Sequence, residues 1–500
     1  MNVNIFDHIE HNAINNNYLD NVAITQINSQ KKIKTISYKK LFELSTKVSL
    51  ALLELGLKNK EKIYISSNDS INFISTFLGA MKIGIIPIPG NPELSNEQSL
   101  HILNDSTPSI VITDKKINKM NLNFAYRYYD NKKWKKLLSI TKFKKINTYK
   151  SKINDTAFLI YSSGTTGLPK AIIHQHQIII NTIFLHKKIL KLKGKDKIFT
   201  TSKLFFAYAL GNNFFAPLLI GLNTIFNDNY IDSPNLSNII QQHKPKAVFS
   251  VPTVYRRLLK DPNTDIKELL KIKYFISAGE RIPDKLYKEW KNIVQSPLLN
   301  CYGTTETLAI VIATRPGNSK IGSTGKPIQN IETKLIDQRG KESKTKGILY
   351  IKHSSFSKSY LNNKEKSFKT FNDGWLKTGD IWSLKSNYWY YQGREDDLIK
   401  VASKWVNPKE LETEASKVEN VIDSFCVAAK SKQGTLRLAL FLCIQENENE
   451  KLIIKKVKNK IEFLPKYKQP YWIKTIHEVP QTTTGKIKRN DLKKLIESEI

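Results

Sequence analysis

The sequence predicts an α/β protein, in which a large amino-terminal region with mostly parallel sheets is joined by a hinge to a small α+β domain. Short apolar runs typical of buried strands alternate with helix-period segments in the first half, an order that favours parallel sheets. The chain has 500 residues, more than one hydrophobic core usually organises. Strands and helices begin again after a charged run at Gly393. We therefore expect an amino-terminal domain over residues 1–393 and a mobile carboxyl-terminal domain over residues 394–500.

Local patterns predict the elements of the amino-terminal region. Apolar side chains recur on one face of a helix at Leu41, Leu44, Val48 and Leu52, and Gly56 should end it. Buried strands are predicted at residues 62–66, 84–88, 247–251 and 274–277. Helices are expected in between, near residues 75–81 and around Tyr255 and Leu258.

The carboxyl-terminal region carries a clear helix start. Asn407 can cap the helix, Pro408 suits its first position, and Glu410 completes a pattern like a capping box. Residues 436–442 predict a strand and residues 450–463 predict a further helix. These elements together predict a small α+β domain.

The formal net charge is +34, which raises the question of a polyanionic partner. The lysines are spread along the whole chain and accompany many Ile and Asn residues, a composition typical of A/T-rich codons. The sequence shows no known nucleic-acid module and no clustered stripe of basic and aromatic residues. We therefore expect no nucleic-acid partner, and a filter-binding assay at physiological salt would test this rival function.

The sequence also bears on location. Residues 1–8 lack a basic start followed by an apolar core, so we expect no signal peptide. The most apolar region, residues 73–89, is interrupted by Lys82 and Pro87, so we expect no membrane span. Cysteines are few, as is usual in a reducing compartment: Cys301, Cys426 and Cys443. A cytoplasmic protein is expected, and the sequence leaves its oligomeric state open.

The most informative segment is residues 161–170, YSSGTTGLPK, which follows a predicted buried strand at residues 156–160. Its two glycines let backbone N–H groups approach an anion, and four hydroxyls and an ammonium add hydrogen-bond donors. It is not a Walker A loop, because Lys170 is followed by Ala171 rather than Ser or Thr. The segment therefore predicts a phosphate-binding loop of another type.

This segment resembles the phosphate-binding loop of the adenylate-forming enzymes, the superfamily of acyl-CoA synthetases, luciferases and peptide-synthetase adenylation domains. Motifs similar to that family follow in the family's order at residues 277–280, 302–306, 378–380, 393–397 and 480–486. The resemblance covers most of the chain. It implies an AMP-forming acid–CoA ligase that uses ATP, Mg²⁺, coenzyme A and a small carboxylic acid.

The resemblance implies a role for each residue of these motifs. The catalytic residues would be Lys486, Thr165 and Glu306, with Glu306 also the Mg²⁺ ligand. The β- and γ-phosphates would be held by Ser162, Ser163, Gly164, Thr165, Thr166 and Lys170. The rest of the nucleotide would be surrounded by Gly279, Glu280, Tyr302, Gly303, Thr304, Asp380 and Arg394. Among these, Tyr302 would stack on adenine and Asp380 would accept hydrogen bonds from the ribose.

The resemblance also assigns the two half-reactions. Lys486 would bridge the substrate carboxylate and the α-phosphate, offsetting charge as two anions approach. Asp396 matches the family's hinge position, about which the small domain would rotate after adenylation. The coenzyme A step would involve Lys400, Ser403 and Trp405, with Ser403 replacing a glycine near the proposed tunnel.

One stretch indicates the acid. Residues 203–212, KLFFAYALGN, closely resemble benzoate–CoA ligases, as do Trp405 and residues 315–317. The implied aromatic slot comprises Phe206, Ala207, Tyr208, Leu308 and Ala309. Benzoate ligases usually carry histidine at the position of Ala309. The smaller alanine side chain should leave a wider slot. The resemblance implies a benzoate- or hydroxybenzoate-like acid; the alternatives are an aliphatic acid, or transfer of the acyl group to a carrier protein.

Overall fold

The computed structural model describes residues 3–115, 122–162, 168–228, 233–401, 404–431, 435–445, 448–476, 480 and 489–497. The chain divides into two compact units. The first comprises residues 1–333, 350–378 and 387–389, and the second comprises 334–349, 379–386 and 390–500. The functional domains expected at 1–393 and 394–500 remain a prediction.

Fifteen strands, numbered in chain order, lie in the described part of the first unit before residue 333. They are β1 (Val22–Ile27), β2 (Ile33–Ser37), β3 (Lys62–Ser66), β4 (Ile86–Gly90), β5 (Ile110–Thr113), β6 (Arg127–Tyr129), β7 (Thr156–Ser162), β8 (Lys170–Gln175), β9 (Lys197–Thr200), β10 (Asn223–Asn227), β11 (Ala247–Ser250), β12 (Tyr274–Ser277), β13 (Leu298–Tyr302), β14 (Ile312–Ala313) and β15 (Lys326–Pro327).

These strands form mostly parallel sheets. The larger sheet has the order β15-β14-β13-β12-β11-β9-β10-β1-β2, and its six strands from β13 to β1 are parallel. A smaller sheet, β4-β3-β5-β6, is parallel throughout. Strands β7 and β8 form an antiparallel hairpin. The predicted α/β class with parallel sheets is therefore confirmed.

Helices connect the strands. They are α1 (Ile5–Asn15), α2 (Tyr38–Glu54), α3 (Ile71–Lys82), α4 (Asn96–Ser106), α5 (Asn131–Ile140), α6 (Thr182–Phe184), α7 (Ala207–Ala209), α8 (Ala216–Ile220), α9 (Ser233–His243), α10 (Pro252–Lys260), α11 (Ile266–Leu270), α12 (Asp284–Ile293) and α13 (Lys364–Thr370). A 3₁₀ turn covers His176–Ile180, and π-helical turns cover Leu185–Ile189 and Leu210–Phe215.

The pairing of α2 with α3 shows how local sequence positions these helices. Ser37 caps α2 by accepting the Lys40 N–H at 3.2 Å. Of the predicted apolar stripe, Leu44 is only half-buried and the other three residues are buried. A Cβ on Gly79 would lie 2.3 Å from the Ser45 carbonyl oxygen, so glycine is what allows α3 to approach α2 this closely.

The chain then continues through β16 (Glu332–Ile336), β17 (Glu342–Ser343), β18 (Lys346–Lys352), β19 (Phe371–Asn372), β20 (Trp375–Lys385) and β21 (Tyr388–Arg394). The second unit adds β22 (Ile399–Val401), β23 (Lys404–Val406), α14 (Pro408–Ala415), β24 (Val421–Lys430), β25 (Leu436–Ile444), α15 (Glu450–Ile461), the 3₁₀ turn Lys466–Lys468, β26 (Trp472–Ile476) and α16 (Arg489–Glu497).

A three-stranded sheet with helices on both faces forms the core of the second unit. Strand β25 pairs antiparallel with β24 and parallel with β26. One face packs Leu440 against Leu411 of α14 and Val457 of α15. The other packs Phe441 against Leu492 of α16. This alternation is the period-2 pattern of a strand buried on both faces, and it confirms the small α+β region.

The predicted cap of α14 is confirmed, because Asn407 accepts the Lys409 N–H at 3.0 Å. The sequence predicts that Glu410 completes a pattern like a capping box, but its carboxylate accepts a hydrogen bond from Lys468 at 2.8 Å. In the described ranges, no helix is both long and apolar enough to cross a membrane.

Candidate active site

The hairpin β7–β8 places two predicted phosphate-binding residues opposite each other. Ser162 and Lys170 are paired across it, so the loop starts and ends at one point. Its base is held by α4, because His101 Nε2 donates to the Pro169 carbonyl at 2.8 Å. The predicted residues Ser163, Gly164, Thr165 and Thr166 lie outside the described residues.

A second contact with α4 fixes the strand that leads into the loop. The Tyr161 hydroxyl donates to Asp105 Oδ2 at 2.6 Å. Burial, together with this hydrogen bond and the charge of Asp105, raises the pKa of Tyr161 well above its ordinary value. Tyr161 therefore remains a neutral donor, and the hairpin entrance is anchored on a helix.

Neighbouring parallel strands bring the predicted base-pocket residues to one edge of the large sheet. Ser277 of β12 is paired with Asn300 of β13, so the two strands end side by side. Gly279, with φ of +88°, and Glu280 follow β12, while Tyr302 ends β13. Ligands of α/β proteins usually bind at the carboxyl ends of such strands.

The turn after β13 is held by a buried threonine. Thr307 Oγ1 accepts the Thr304 N–H at 3.0 Å and lies 2.9 Å from the Ala309 carbonyl oxygen, to which it donates. A Cβ on Gly303 would lie 2.4 Å from that same oxygen, so the turn requires glycine there. These contacts fix the backbone on either side of Glu306.

Glu306 is held by the segment that follows β18. The Tyr360 hydroxyl donates to Glu306 Oε1 at 2.7 Å, and the Ser357 N–H donates to the Glu306 carbonyl oxygen at 3.1 Å. The structure therefore gives this carboxylate a defined orientation.

The predicted acid-binding residues come from two segments that touch. A Cβ on Gly211 would lie 2.0 Å from the Leu308 carbonyl oxygen, so the helical segment after Phe206 lies directly against the turn after Glu306. Leu308 and Ala309 are buried, whereas Phe206, Ala207 and Tyr208 are half-buried. The five predicted slot residues therefore belong to adjoining segments.

Tyr208 is fixed at its hydroxyl, which donates to the Ile276 carbonyl oxygen of β12 at 3.2 Å. Burial raises the pKa of Tyr208 well above its ordinary value, so the group stays neutral. Its ring centroid lies 6.3 Å from that of Phe249.

Within the second unit, Arg394 lies between two carboxylates. Its Nη1 is 3.7 Å from Asp380 Oδ1 and its Nη2 is 3.8 Å from Asp396 Oδ2. Asp380 is buried, whereas the Asp396 side chain is half-exposed. The predicted ribose-binding pair and the predicted hinge residue are therefore neighbours.

The remaining predicted residues are only partly placed. The backbones of Lys400 and Trp405 are paired across β22 and β23, and the structure does not describe their side chains. Ser403 and Lys486 lie outside the described residues.

Sequence reasoning missed a buried ion pair in the second unit. Arg489 Nη2 lies 2.8 Å from Glu412 Oε1, and Arg489 also donates to the Cys426 carbonyl oxygen at 2.6 Å. Lys409 Nζ lies 3.0 Å from the other Glu412 oxygen. A signal was present, because Glu412 lies beside Leu411 on the buried face of α14.

Burial acts to raise the pKa of Glu412, but the charges of Lys409 and Arg489 and the Cys426 N–H outweigh it and lower the pKa. Glu412 is therefore ionised at neutral pH. Its partner Arg489 follows Lys486 by three residues in the sequence.

The described residues include no cluster of three or more His, Cys, Asp or Glu side chains suited to a metal ion. Mg²⁺ commonly takes one or two protein carboxylates and completes its coordination with water and substrate phosphates. The oriented carboxylate of Glu306 fits that requirement.

Known proteins resemble the chain over most of its length. Residues 9–361 match the family model described as AMP-binding enzyme. The 3-hydroxybenzoate–CoA/4-hydroxybenzoate–CoA ligase of Thauera aromatica is 27% identical over 487 residues, 93% of each chain. The benzoate–CoA ligase of Thauera aromatica is 30% identical over 462 residues, 88% of this chain and 86% of that protein.

Solved structures resemble it as well. The anthranilate CoA ligase AuaEII in complex with anthranoyl-AMP superimposes with a TM-score of 0.87 at 25% identity, covering 99% of this chain and 98% of that one. A benzoate CoA ligase from Burkholderia xenovorans LB400 gives 0.87 at 26% identity, with 98% and 99% covered.

Proposed function

This chain belongs to the AMP-binding enzyme family, and we propose that it joins a benzoate- or hydroxybenzoate-like acid to coenzyme A through an acyl adenylate. It is an AMP-forming acid–thiol ligase, the class of the named CoA ligases that it resembles along nearly its whole length. The aromatic acid, the thiol acceptor and the roles of individual residues are parts of the proposal.

Activation by ATP overcomes a specific chemical obstacle. A carboxylic acid is a poor acyl donor because hydroxide is a poor leaving group. Attack of the carboxylate oxygen on the α-phosphorus of ATP forms the acyl adenylate and releases pyrophosphate, and the thiol of coenzyme A then displaces AMP. The protein must position these anions and offset their charge, which needs no covalent nucleophile.

The hairpin and the strand ends support binding of the nucleotide. Ser162 and Lys170, at the two ends of the loop, would hold the β- and γ-phosphates together with residues 163–166. Tyr302, at the end of β13, would stack on adenine. Mg²⁺, held by Glu306, would neutralise phosphate charge when bound. Asp380 and Arg394 would bind the ribose.

The placement of the aromatic segment directly against the turn after Glu306 is the observation that carries the substrate proposal. Phe206 and Tyr208 offer flat apolar surface, and the anchored Tyr208 hydroxyl gives one side of the slot a fixed position. The small side chain of Ala309 leaves room that a histidine would fill, which supports a substituted ring. Aryl-acid ligases among the relatives support the same class of acid.

The thioester step rests on the second unit. Lys486 would bridge the substrate carboxylate and the α-phosphate during adenylation. Asp396 would serve as the hinge before transfer to coenzyme A, with Lys400, Ser403 and Trp405 serving the second step.

An acid-dependent pyrophosphate-release screen tests the proposal. Aromatic, short-chain and amino acids would each be assayed with and without coenzyme A, and the thioester identified by mass spectrometry. We expect release with benzoate or hydroxybenzoates and a thioester only when coenzyme A is present. Preference for aliphatic acids would contradict the aryl assignment, and adenylate without any thioester would favour a carrier-protein acceptor.

A further inference from the structure

A buried carboxylate holds the turn that leads into the proposed acid slot. Asp69 follows β3 in the sequence and is only 2% exposed. The Leu204 N–H donates to both of its oxygens, at 3.1 and 3.3 Å. Asp69 and Leu204 are 135 residues apart, so this contact connects the segment after β3 with the segment after β9.

Lys203, the residue before Leu204, is buried beside this carboxylate. It is 4% exposed, and its ammonium donates to the Asn227 carbonyl oxygen at 2.6 Å. Burial raises the pKa of Asp69 to about 6, and the charge of Lys203 opposes that rise. Burial lowers the pKa of Lys203, and the charges of Asp69 and Asp228 oppose it. Because a buried charge without a partner is costly, this arrangement resists displacement.

The anchored residues form one turn that leads directly into the slot. The Phe206 N–H donates to the Lys203 carbonyl oxygen at 3.0 Å, and the Phe206 carbonyl oxygen accepts the Leu210 N–H at 2.9 Å. The rings of Phe205 and Phe206 pack edge-on at 4.4 Å. Phe206 is therefore fixed on both sides, by the turn that Asp69 holds and by the helical segment that follows.

We propose that Asp69 is a positioning residue for the acid-binding slot, acting through the Leu204 N–H and Lys203 to set where Phe206 to Tyr208 stand. This inference rests on the proposed function of that slot. Asp69 holds the turn that leads into Phe206, and a shift of that turn by a fraction of an ångström would change the fit of a rigid ring in the slot.

Two substitutions at Asp69 separate its roles. Asp69→Ala removes the acceptor and the charge, whereas Asp69→Asn keeps an oxygen that can accept the Leu204 N–H. The matched control is Asp196→Asn, because Asp196 makes a 2.7 Å ion pair with Lys246 and accepts the Lys193 N–H just before β9. That site lies at the amino-terminal end of β9, and Leu204 follows the other end.

The experiment measures KM for the acid and KM for ATP separately by pyrophosphate release, using whichever acid the wild-type enzyme accepts best. We expect Asp69→Ala to raise KM for the acid on the order of tenfold and to leave KM for ATP within about twofold. The rise in KM for the acid should be smaller in Asp69→Asn than in Asp69→Ala. Asp196→Asn should leave both constants unchanged even if it lowers thermal stability.

Equal changes in both KM values, or an unchanged KM for the acid in folded Asp69→Ala, would overturn the proposal. If Asp69→Ala does not fold, the same comparison is made with Asp69→Asn. Its KM for the acid should rise more than its KM for ATP, and equal changes would overturn the proposal. Hydrogen exchange of the 203–208 amides gives a readout that needs no activity, and faster exchange is expected in Asp69→Ala than in Asp196→Asn. Faster exchange in a protein that activates only aliphatic acids would refute the proposed substrate while leaving the anchor intact.

Discussion

The Tyr360 hydroxyl donates a 2.7 Å hydrogen bond to Glu306 Oε1. Tyr360 also forms a β-bridge with Ile172 of β8, the strand that follows the predicted phosphate loop. Tyr360 therefore connects the two, through its backbone to the hairpin and through its side chain to the carboxylate proposed to bind Mg²⁺. This relationship sets the orientation of Glu306 before any ligand arrives.

Replacing Tyr360 by Phe tests that orientation. Tyr360→Phe keeps the ring packed 5.3 Å from Phe371 but removes the donor to Glu306. A hydrogen bond to a charged group contributes about 1.5–3 kcal/mol, so we expect adenylation to weaken roughly 10- to 100-fold and to need more Mg²⁺. Pyrophosphate release across a Mg²⁺ titration measures both. Tyr149→Phe, which removes a surface hydroxyl bonded to Asn59, is the control and should leave the titration unchanged.

Enlarging Ala309 tests the acid slot. Ala309→His or Ala309→Leu should shift preference toward smaller acids, by about 1–3 kcal/mol for each misfitting group. The comparison is kcat/KM for benzoate, hydroxybenzoates, cinnamates and medium-chain fatty acids. A proportional loss for every acid would place Ala309 outside the slot.

Lys486 is expected to act in one half-reaction only. Lys486→Ala should reduce acyl-adenylate formation on the order of 100-fold or more, because a transition-state charge contact is lost. Thioester formation from a supplied acyl adenylate should survive. Lys488→Ala is the control that removes an ammonium two residues further along the sequence. Equal loss in both half-reactions of Lys486→Ala would argue against the assigned role.

Asp396 is expected to serve as a hinge. Asp396→Pro fixes φ at that residue, so adenylation should persist while overall ligation to coenzyme A falls. Asp396→Asn removes the charge facing Arg394 but leaves the backbone free, and it should ligate nearly as well as wild type. Wild-type ligation by Asp396→Pro would require a hinge elsewhere in the chain.

Glu412 should stabilise the second unit in a pH-dependent way. Its lowered pKa means that its contribution is present above the ordinary glutamate range and is lost as the pH falls through the lowered pKa. At pH 7 Glu412→Gln should cost about 2 kcal/mol, modest for a buried pair because Arg489 and Lys409 stay a third exposed.

Hydrogen exchange of the α14 and β24 amides reports this unit by itself and measures that cost. The difference between wild type and Glu412→Gln should shrink as the pH is lowered below the ordinary glutamate range. The control is Glu410→Gln, in the same helix as Glu412, which removes the exposed partner of Lys468. This substitution should change the exchange of these amides little at any pH. A difference that persists undiminished at low pH would mean that packing, rather than charge, accounts for the effect.

The sequence by itself determined the elements that depend on near neighbours along the chain. The apolar stripe of α2, the Asn407 cap of α14 and the buried strands each follow from residues within a few positions of one another. The family and the reaction class follow from contiguous motifs for the same reason.

Only the tertiary structure decided which distant residues support those motifs. Glu306 and Tyr360 are 54 residues apart, and Asp69 and Leu204 are 135 apart. No local pattern names such partners, because sheet order and helix packing bring them together. When folding removes a charged carboxylate such as that of Asp69 from water, the carboxylate needs hydrogen-bond donors. The fold determines which residues lie close enough to supply them.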